Sequence, residues 1–327
     1  MKVLVTEADG MLGSNLVRLL LERGHEISVL LHPASISNSL DGLAIKRFPG
    51  DILQTSSLKP AFQHQDAVIH AAASTSIWPP RSETVRRINI DGTRNIIEAA
   101  LHHGIKRMVY VGSASSVNAE NKEGDSNIFP GARFGLDYID SKHEALNLVM
   151  EAAKTRNLPA LAVLPTYMIG PYDSLPGSGK MILALARGQL KVYTRGGRNF
   201  IHVRDVAVAI ANSLEEGRIG MHYVAGNENL TYREFFSKVA RIVSMPEPRI
   251  AAPAWLVKTI GLAGSLSGKI LNKEPVISYP MARISCEKQF VNSSEAIKAL
   301  QMPQTNIETA IAECYQWFID NNYLKKT

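Results

Sequence analysis

MKVLVTEADGMLGSNLVRLLLE, residues 1–22, decides the fold. Residues 2–6 form a short apolar run that reads as a strand, residues 7–13 carry two glycines in a turn, and beyond them Leu16, Leu19 and Leu20 recur at helical spacing. Further strand signals follow at 26–31, 45–48, 66–71, 107–111 and 160–164, the last closed by Pro165. Helical stretches separate them, notably 84–102 and 138–154. This alternation predicts an α/β fold: a Rossmann-type, doubly wound parallel sheet with helices on both faces. From about Leu175 the rhythm gives way to glycine, proline and short helical pieces, which predicts a smaller interleaved C-terminal lobe. The expected division is 1–172 for the dinucleotide-type domain, with 199–226 returning to it, and 173–327 mainly for the lobe.

The 327 residues are 45% hydrophobic and 20% charged, an ordinary globular composition. The net charge of +6 is scattered, and no basic stripe interleaved with stacking aromatics points to nucleic acid. Two cysteines, Cys286 and Cys314, make neither a disulfide framework nor a metal site, and the adjacent His102 and His103 point apart on a helix. No metal is expected, and a reducing, cytoplasmic compartment is. Residues 251–271 are the most apolar later stretch, but Lys258, Lys269 and three glycines interrupt them. They read as an amphipathic helix packed on the body, in preference to a membrane-surface anchor, and no integral membrane segment is expected.

The TEADGMLG stretch from Thr6 to Gly13 lies where a dinucleotide fingerprint would sit, with Gly10 and Gly13 permitting a tight turn and close backbone approach at a helix N-terminus. Asp51 in GDIL could receive an adenine amino group at the sheet's carboxyl edge, and the small residues Ala71, Ala72 and Ala73 could let a ligand lie on backbone. Together with DAVIHAAA, INIDGTRN, YVGSASSVN, YIDSK, LPTYMIGP and FIHVRDVA, these motifs span most of the chain. In them the chain resembles the extended short-chain dehydrogenase/reductases, the NAD-dependent epimerase/dehydratase family, and within it the branch of dihydroflavonol reductases and hopanoid-associated sugar epimerases.

That resemblance implies a cofactor-binding set. Gly10, Met11, Leu12 and Gly13 would line the pyrophosphate, Asp51 and Ile52 the adenine, and Ala71, Ala72 and Ala73 the ribose-phosphate track. Asn89 would support the sheet edge, Thr6 and Val111 join the same set, and Pro165, Thr166 and Met168 would meet the carboxamide of nicotinamide. The resemblance also implies pairing into a homodimer. Two departures stand out. Glu7 replaces the family's first glycine, and it could point outward, accept hydrogen bonds from ribose hydroxyls, or weaken the cofactor site. His32 stands where an arginine would bind the 2′-phosphate of NADP or an acid would favour NAD. With no carboxylate there, the expected cofactor is NADP, with NAD retained as an alternative.

Tyr138 and Lys142 are four residues apart on an expected helix and share a face. By resemblance they are the catalytic pair, with Lys142 also holding the nicotinamide ribose. A nearby ammonium favours phenolate and would bring the tyrosine toward working pH. Ser113, at the carboxyl end of a strand, could polarise the same substrate oxygen, with Ser115 as the fallback. The expected activity is NAD(P)(H)-dependent hydride transfer to or from a carbonyl or alcohol. The small-molecule pocket is expected at residues 74–78, Phe134, Tyr167, Tyr172 and 200–204. A nucleotide-sugar epimerase or dehydratase is the first alternative, with Arg187, Arg195, Arg198 and Arg204 available for a pyrophosphate, although Ala114 lacks a dehydratase's extra acid. A non-catalytic dinucleotide sensor is the second alternative, because of Glu7.

Overall fold

The computed structural model describes residues 1–35, 37–117 and 134–324. Six strands run through the first half: β1 (Lys2–Thr6), β2 (Glu26–Leu31), β3 (Ile45–Pro49), β4 (Ala67–His70), β5 (Arg107–Val111) and β6 (Ala160–Pro165). With β10 (His222–Ala225) they form one seven-stranded sheet in the order β10-β6-β5-β4-β1-β2-β3, parallel at every pairing. The order reverses beside β1, where β2 and β4 lie on opposite sides, so the carboxyl ends open a crevice at that switch point. As expected, β6 ends at Pro165, which still pairs with Ala225, whose carbonyl accepts from Thr166 N–H.

Helices cover both faces. On one, α1 (Met11–Glu22) packs against α7 (Val203–Ser213). The other carries α2 (Thr55–Phe62), α3 (Glu83–Arg86), α4 (Gly92–His102) and α5 (Asp137–Thr155). Two apolar clusters fill the space on either side of the sheet, one around Val3, Val5 and Leu16, the other around Leu4, Phe62 and Val149. Between α3 and α4 the helix widens through a π turn at Arg87–Asp91, which carries Asn89.

The remaining strands build two small sheets. In one, β9 (Gly197–His202) pairs with β7 (Tyr167–Ile169), β11 (Glu228–Thr231) and β13 (Lys288–Gln289); in the other, β8 (Val192–Thr194) pairs with β12 (Ile250–Ala252). A third cluster packs there, with Phe200 and Phe235 stacked at 4.1 Å. It draws on α6 (Lys180–Ala186), α8 (Tyr232–Ile242) and α12 (Ile307–Asp320), while α9 (Ala254–Leu271), α10 (Tyr279–Ser285) and α11 (Ser294–Ala299) complete the chain. The expected amphipathic packing of the apolar 251–271 stretch is inverted. Val257 and a row of glycines face the protein, and Trp255, Leu262, Leu266 and Ile270 face out.

One buried polar chain ties the sheet to α5. Thr6 Oγ1 lies 3.1 Å from His70 Nδ1, and His70 Nε2 lies 3.1 Å from Thr93 Oγ1. Thr93 donates to Asn89 O at 2.6 Å, and Asn89 Nδ2 donates to Ser141 Oγ at 2.8 Å. With His70 as the Nε2–H tautomer every link has one donor and one acceptor. Burial depresses His70 to a pKa of about 3, with the Lys142 charge adding to the effect. The folded state therefore refuses a proton that the unfolded chain takes up below about 6.5, so stability is lost as pH falls from there toward 3. Thermal unfolding followed from pH 7.5 to 4.5 is expected to show a steeper loss in the native protein than in His70→Gln, by up to about 1.4 kcal/mol per pH unit. Equal slopes would contradict a neutral His70.

Candidate active site

The crevice at the switch point opens into a cleft of about 2280 Å³. Its floor begins at the turn after β1. Gly13 has no room for a side chain: a Cβ there would stand 2.1 Å from Glu7 O, which is what lets α1 start immediately beneath the strand. Gly10 caps α1 in an extended conformation, and Gly10, Met11, Leu12 and Gly13 all line the cleft. The N-terminus of α1 thus faces the cleft with its first N–H groups, a favourable seat for an anion.

Glu7 adopts φ of 57°, a left-handed conformation uncommon for a side chain of this kind. Its carboxyl turns in, not outward. Oε2 accepts from Ala73 N–H at 2.8 Å, and Oε1 would lie 3.2 Å from any Cβ placed on Gly10. Water reaches this carboxylate through the open cleft, yet protein encloses its other sides, and that desolvation raises its pKa to about 7 against the Ala73 hydrogen bond and the charge of Lys142.

The catalytic candidates converge on the far side of the same cleft. The N-terminus of α5 is pinned because Asp137 accepts from Arg81 at 2.8 Å and from Ser82 N–H at 2.6 Å. One turn then separates Tyr138 from Lys142, and both line the cleft with Ser113. Ser113 hydrogen-bonds the Tyr138 phenol, while Ser115, 2.8 Å from Ser113 Oγ, stands behind it. Lys142 gives one of its three N–H groups to Val111 O at 3.0 Å, and burial lowers its pKa to about 8 against the opposing pull of Glu7. The expected depression of Tyr138 is not found. Burial raises the phenol, and the Ser113 hydrogen bond and the Arg198 charge oppose that rise.

Ala71, Ala73, Val111, Pro165, Thr166 and Met168 line the cleft as well. Other expected cofactor residues are not brought to its wall. Thr6 is buried and accepts from Ala71 and Ala72 N–H, and Asn89 holds Ser74 and Ser141. His32 caps Ala34 N–H in its own turn, where Ala34, Ser35 and Ser39 reach the cleft instead. Asp51 bonds Leu53 N–H, and Ile52 packs over Gly92. Of the expected substrate wall, Thr75, Ser76, Ile77, Trp78, Phe134, Tyr167 and Tyr172 line the cleft, but residues 200–204 do not, because Phe200 is consumed by the core. Among the four arginines only Arg198 faces in; it donates to Tyr232 Oη at 2.8 Å and lies 4.9 Å from the Tyr167 ring centre. Sequence reasoning did not single out His70, and it offered Arg198 only as one of four arginines for a pyrophosphate. A histidine inside an apolar strand is the signal for the first, since a buried ring nitrogen needs partners.

A parallel sheet with a switch-point crevice, a glycine-turned helix N-terminus and a Ser-Tyr-Lys cluster defines a dinucleotide-dependent enzyme of the short-chain dehydrogenase type. The model of the NAD dependent epimerase/dehydratase family matches residues 3–226, and the chain belongs to that family, an NAD-dependent oxidoreductase or epimerase. A protein of Synechocystis sp. provisionally named dihydroflavonol 4-reductase is 30% identical, over 98% of this chain and 95% of its own. Sterol demethylase protein B of Methylococcus capsulatus is 29% identical, over 97% and 98%. The crystal structure of gox2253 superposes with a TM-score of 0.86 at 29% identity, covering 99% of both chains.

The residues present fit a dinucleotide: an open helix N-terminus beside Gly10, backbone exposed at Ala71 and Ala73, and an ammonium on Lys142 with two N–H groups beyond its Val111 bond. The raised pKa of Glu7 predicts a pH-dependent fit. Below about 7 it is neutral; above, its charge stands beside the seat of the phosphates. Nicotinamide fluorescence titrations are expected to give weaker binding at pH 7.5 than at pH 6 in the native protein, by up to about fourfold, and a smaller change in Glu7→Gln. Identical pH dependence in both proteins would show that Glu7 does not act on the cofactor.

Proposed function

We propose that the chain is an NAD(P)(H)-dependent reductase or dehydrogenase of a hydrophobic carbonyl or alcohol. The observation that carries this is Tyr138, hydrogen-bonded by Ser113 and one helical turn from Lys142, facing a cleft whose wall beside it is apolar. Ile77, Trp78, Phe134, Leu136, Met281 and Ile284 form that wall, which suits a ring-bearing or lipid-like substrate with one reacting oxygen.

When bound, the dinucleotide supplies or accepts the hydride. Gly10, Met11, Leu12 and Gly13 would hold its phosphates, Lys142 its nicotinamide ribose, and Pro165, Thr166 and Met168 its carboxamide. Tyr138 gives its phenolic proton to the substrate oxygen as a carbonyl is reduced, or receives one as an alcohol is oxidised. Ser113 donates to the same oxygen and polarises it. Lys142 is charged below about pH 8, so its ammonium, one helical turn away, favours the phenolate that Tyr138 becomes on giving up its proton. NADP is the proposed cofactor, NAD the alternative.

The epimerase reading rests on Arg198, a cation turned toward Tyr138. Arg187 and Arg204 are engaged elsewhere, with Tyr323 O and Glu313, which leaves less for a pyrophosphate than the sequence offered. Net turnover separates the readings. A ring-bearing ketone supplied with NADPH is expected to consume it in stoichiometric amount, and Tyr138→Phe to lower kcat by about 10²–10⁴-fold with cofactor binding intact. Binding without net consumption would favour the epimerase or sensor, and an active Tyr138→Phe would remove the proposed acid.

A further inference from the structure

Helix α9 is built backwards for a helix in a globular domain. At 100° per residue, Val257, Gly261, Gly264 and Gly268 form one stripe, and that stripe faces the protein. A Cβ on Gly261 would stand 2.5 Å from Ala282 Cβ, one on Gly264 2.3 Å from Ile277 O, and one on Gly268 2.7 Å from the Trp78 ring. The glycines thus seat the helix directly on the 275–282 segment and on Trp78. The large side chains go the other way: Trp255 is 69% exposed, Leu262 50%, Leu266 55% and Ile270 82%, all on one outer ridge. A soluble face would carry charge at these positions. A contiguous apolar ridge on a folded surface marks a place where something apolar comes to rest.

Two further observations identify the occupant. From Pro248 to Lys273 the chain carries Arg249, Lys258, Lys269 and Lys273 and no carboxylate, and Lys258 and Lys269 lie about three turns apart along one flank of the ridge. The opposite flank belongs to the cleft, because Leu256, Val257 and Ile260 line it. Apolar ridge, basic flank and cavity mouth are therefore parts of one helix. A second copy of the chain is a poor occupant. Two-fold pairing across the ridge would bring lysines together with no acid on the helix to meet them. An anionic lipid surface matches both the apolar ridge and the cations.

We propose that α9 docks the protein in the plane of an anionic phospholipid bilayer, with Trp255, Leu262, Leu266 and Ile270 inserted and Lys258 and Lys269 at the headgroups, so that the cleft opens at the bilayer surface. No described helix is long and apolar enough to cross a membrane, so this is a surface attachment. The proposal concerns the surface alone and stands whatever the cleft takes as substrate.

The test is co-sedimentation of the full chain with phosphatidylcholine vesicles, with and without phosphatidylglycerol, together with light scattering in their absence. The native protein is expected to bind the vesicles containing phosphatidylglycerol and to be released by salt. Leu266→Glu and Ile270→Gln should each lower the partition coefficient about tenfold or more. Ile219→Glu, at an exposed apolar position outside α9, should leave it unchanged, and circular-dichroism melting checks that each variant is folded. Absence of native binding, equal binding by Leu266→Glu, or a native dimer that Leu266→Glu dissociates without any vesicle binding would each overturn the proposal.

Discussion

The buried chain from Thr6 through His70, Thr93 and Asn89 to Ser141 is the constraint on which the site depends. It joins the carboxyl ends of β1 and β4 to the π turn before α4 and then to α5 at the residue just before Lys142. Each group lies where water cannot replace a lost partner, so one misplaced donor would leave several unsatisfied. Ser141 returns the chain to Tyr138, donating to its backbone carbonyl at 3.1 Å. The chain works because every member is neutral. A charged His70 would have two donors and would break the sequence of single donors and acceptors that orients α5.

Charge is concentrated instead at the cleft. Glu7 and Lys142 act on one another across it, the carboxylate holding the lysine's pKa up and the ammonium holding the glutamate's down, each against a larger desolvation effect. This coupling explains how an acid can stand where a glycine would be simpler. Glu7 accepts the left-handed backbone of the turn and in exchange satisfies Ala73 N–H, a strand-end donor otherwise left to solvent. The same carboxylate then places a titrating group beside the phosphate seat. Arg198 contributes from the opposite wall, a planar cation fixed by Tyr232 and stacked near Tyr167. Tyr138 therefore lies among two basic side chains and one acid, carried by α5, by β9 and by the turn after β1.

The sheet was legible from residues 1–22 onward because strand and helix periodicities differ and glycine marks the turns between them. That Ser113, Tyr138 and Lys142 share one cleft was legible because Tyr138 and Lys142 lie one helical turn apart and Ser113 lies just beyond the carboxyl end of β5. His32, Asp51 and Ile52 show the limit of that reasoning. Position in a motif does not tell whether a side chain turns to the cleft or bonds its own loop, as His32 does with Ala34 and Asp51 with Leu53. Phe200 was misread for a related reason: an aromatic residue beside a site is as ready to stack in the core as to line a pocket. The outward face of α9 was hidden in a pattern that suggests the opposite, since apolar residues ordinarily mark the buried side, and only the glycine contacts reveal which side is held.

The most direct measurement of the hydride-transfer account is the fate of a label. NADPH carrying deuterium at the transferring position of C4 is mixed with a ring-bearing ketone, and the products are analysed by mass spectrometry. The account predicts an alcohol heavier by one deuterium from the native enzyme and none from Tyr138→Phe. Label retained in the dinucleotide while a bound sugar nucleotide changes configuration, or label transferred equally well without the Tyr138 hydroxyl, would contradict it.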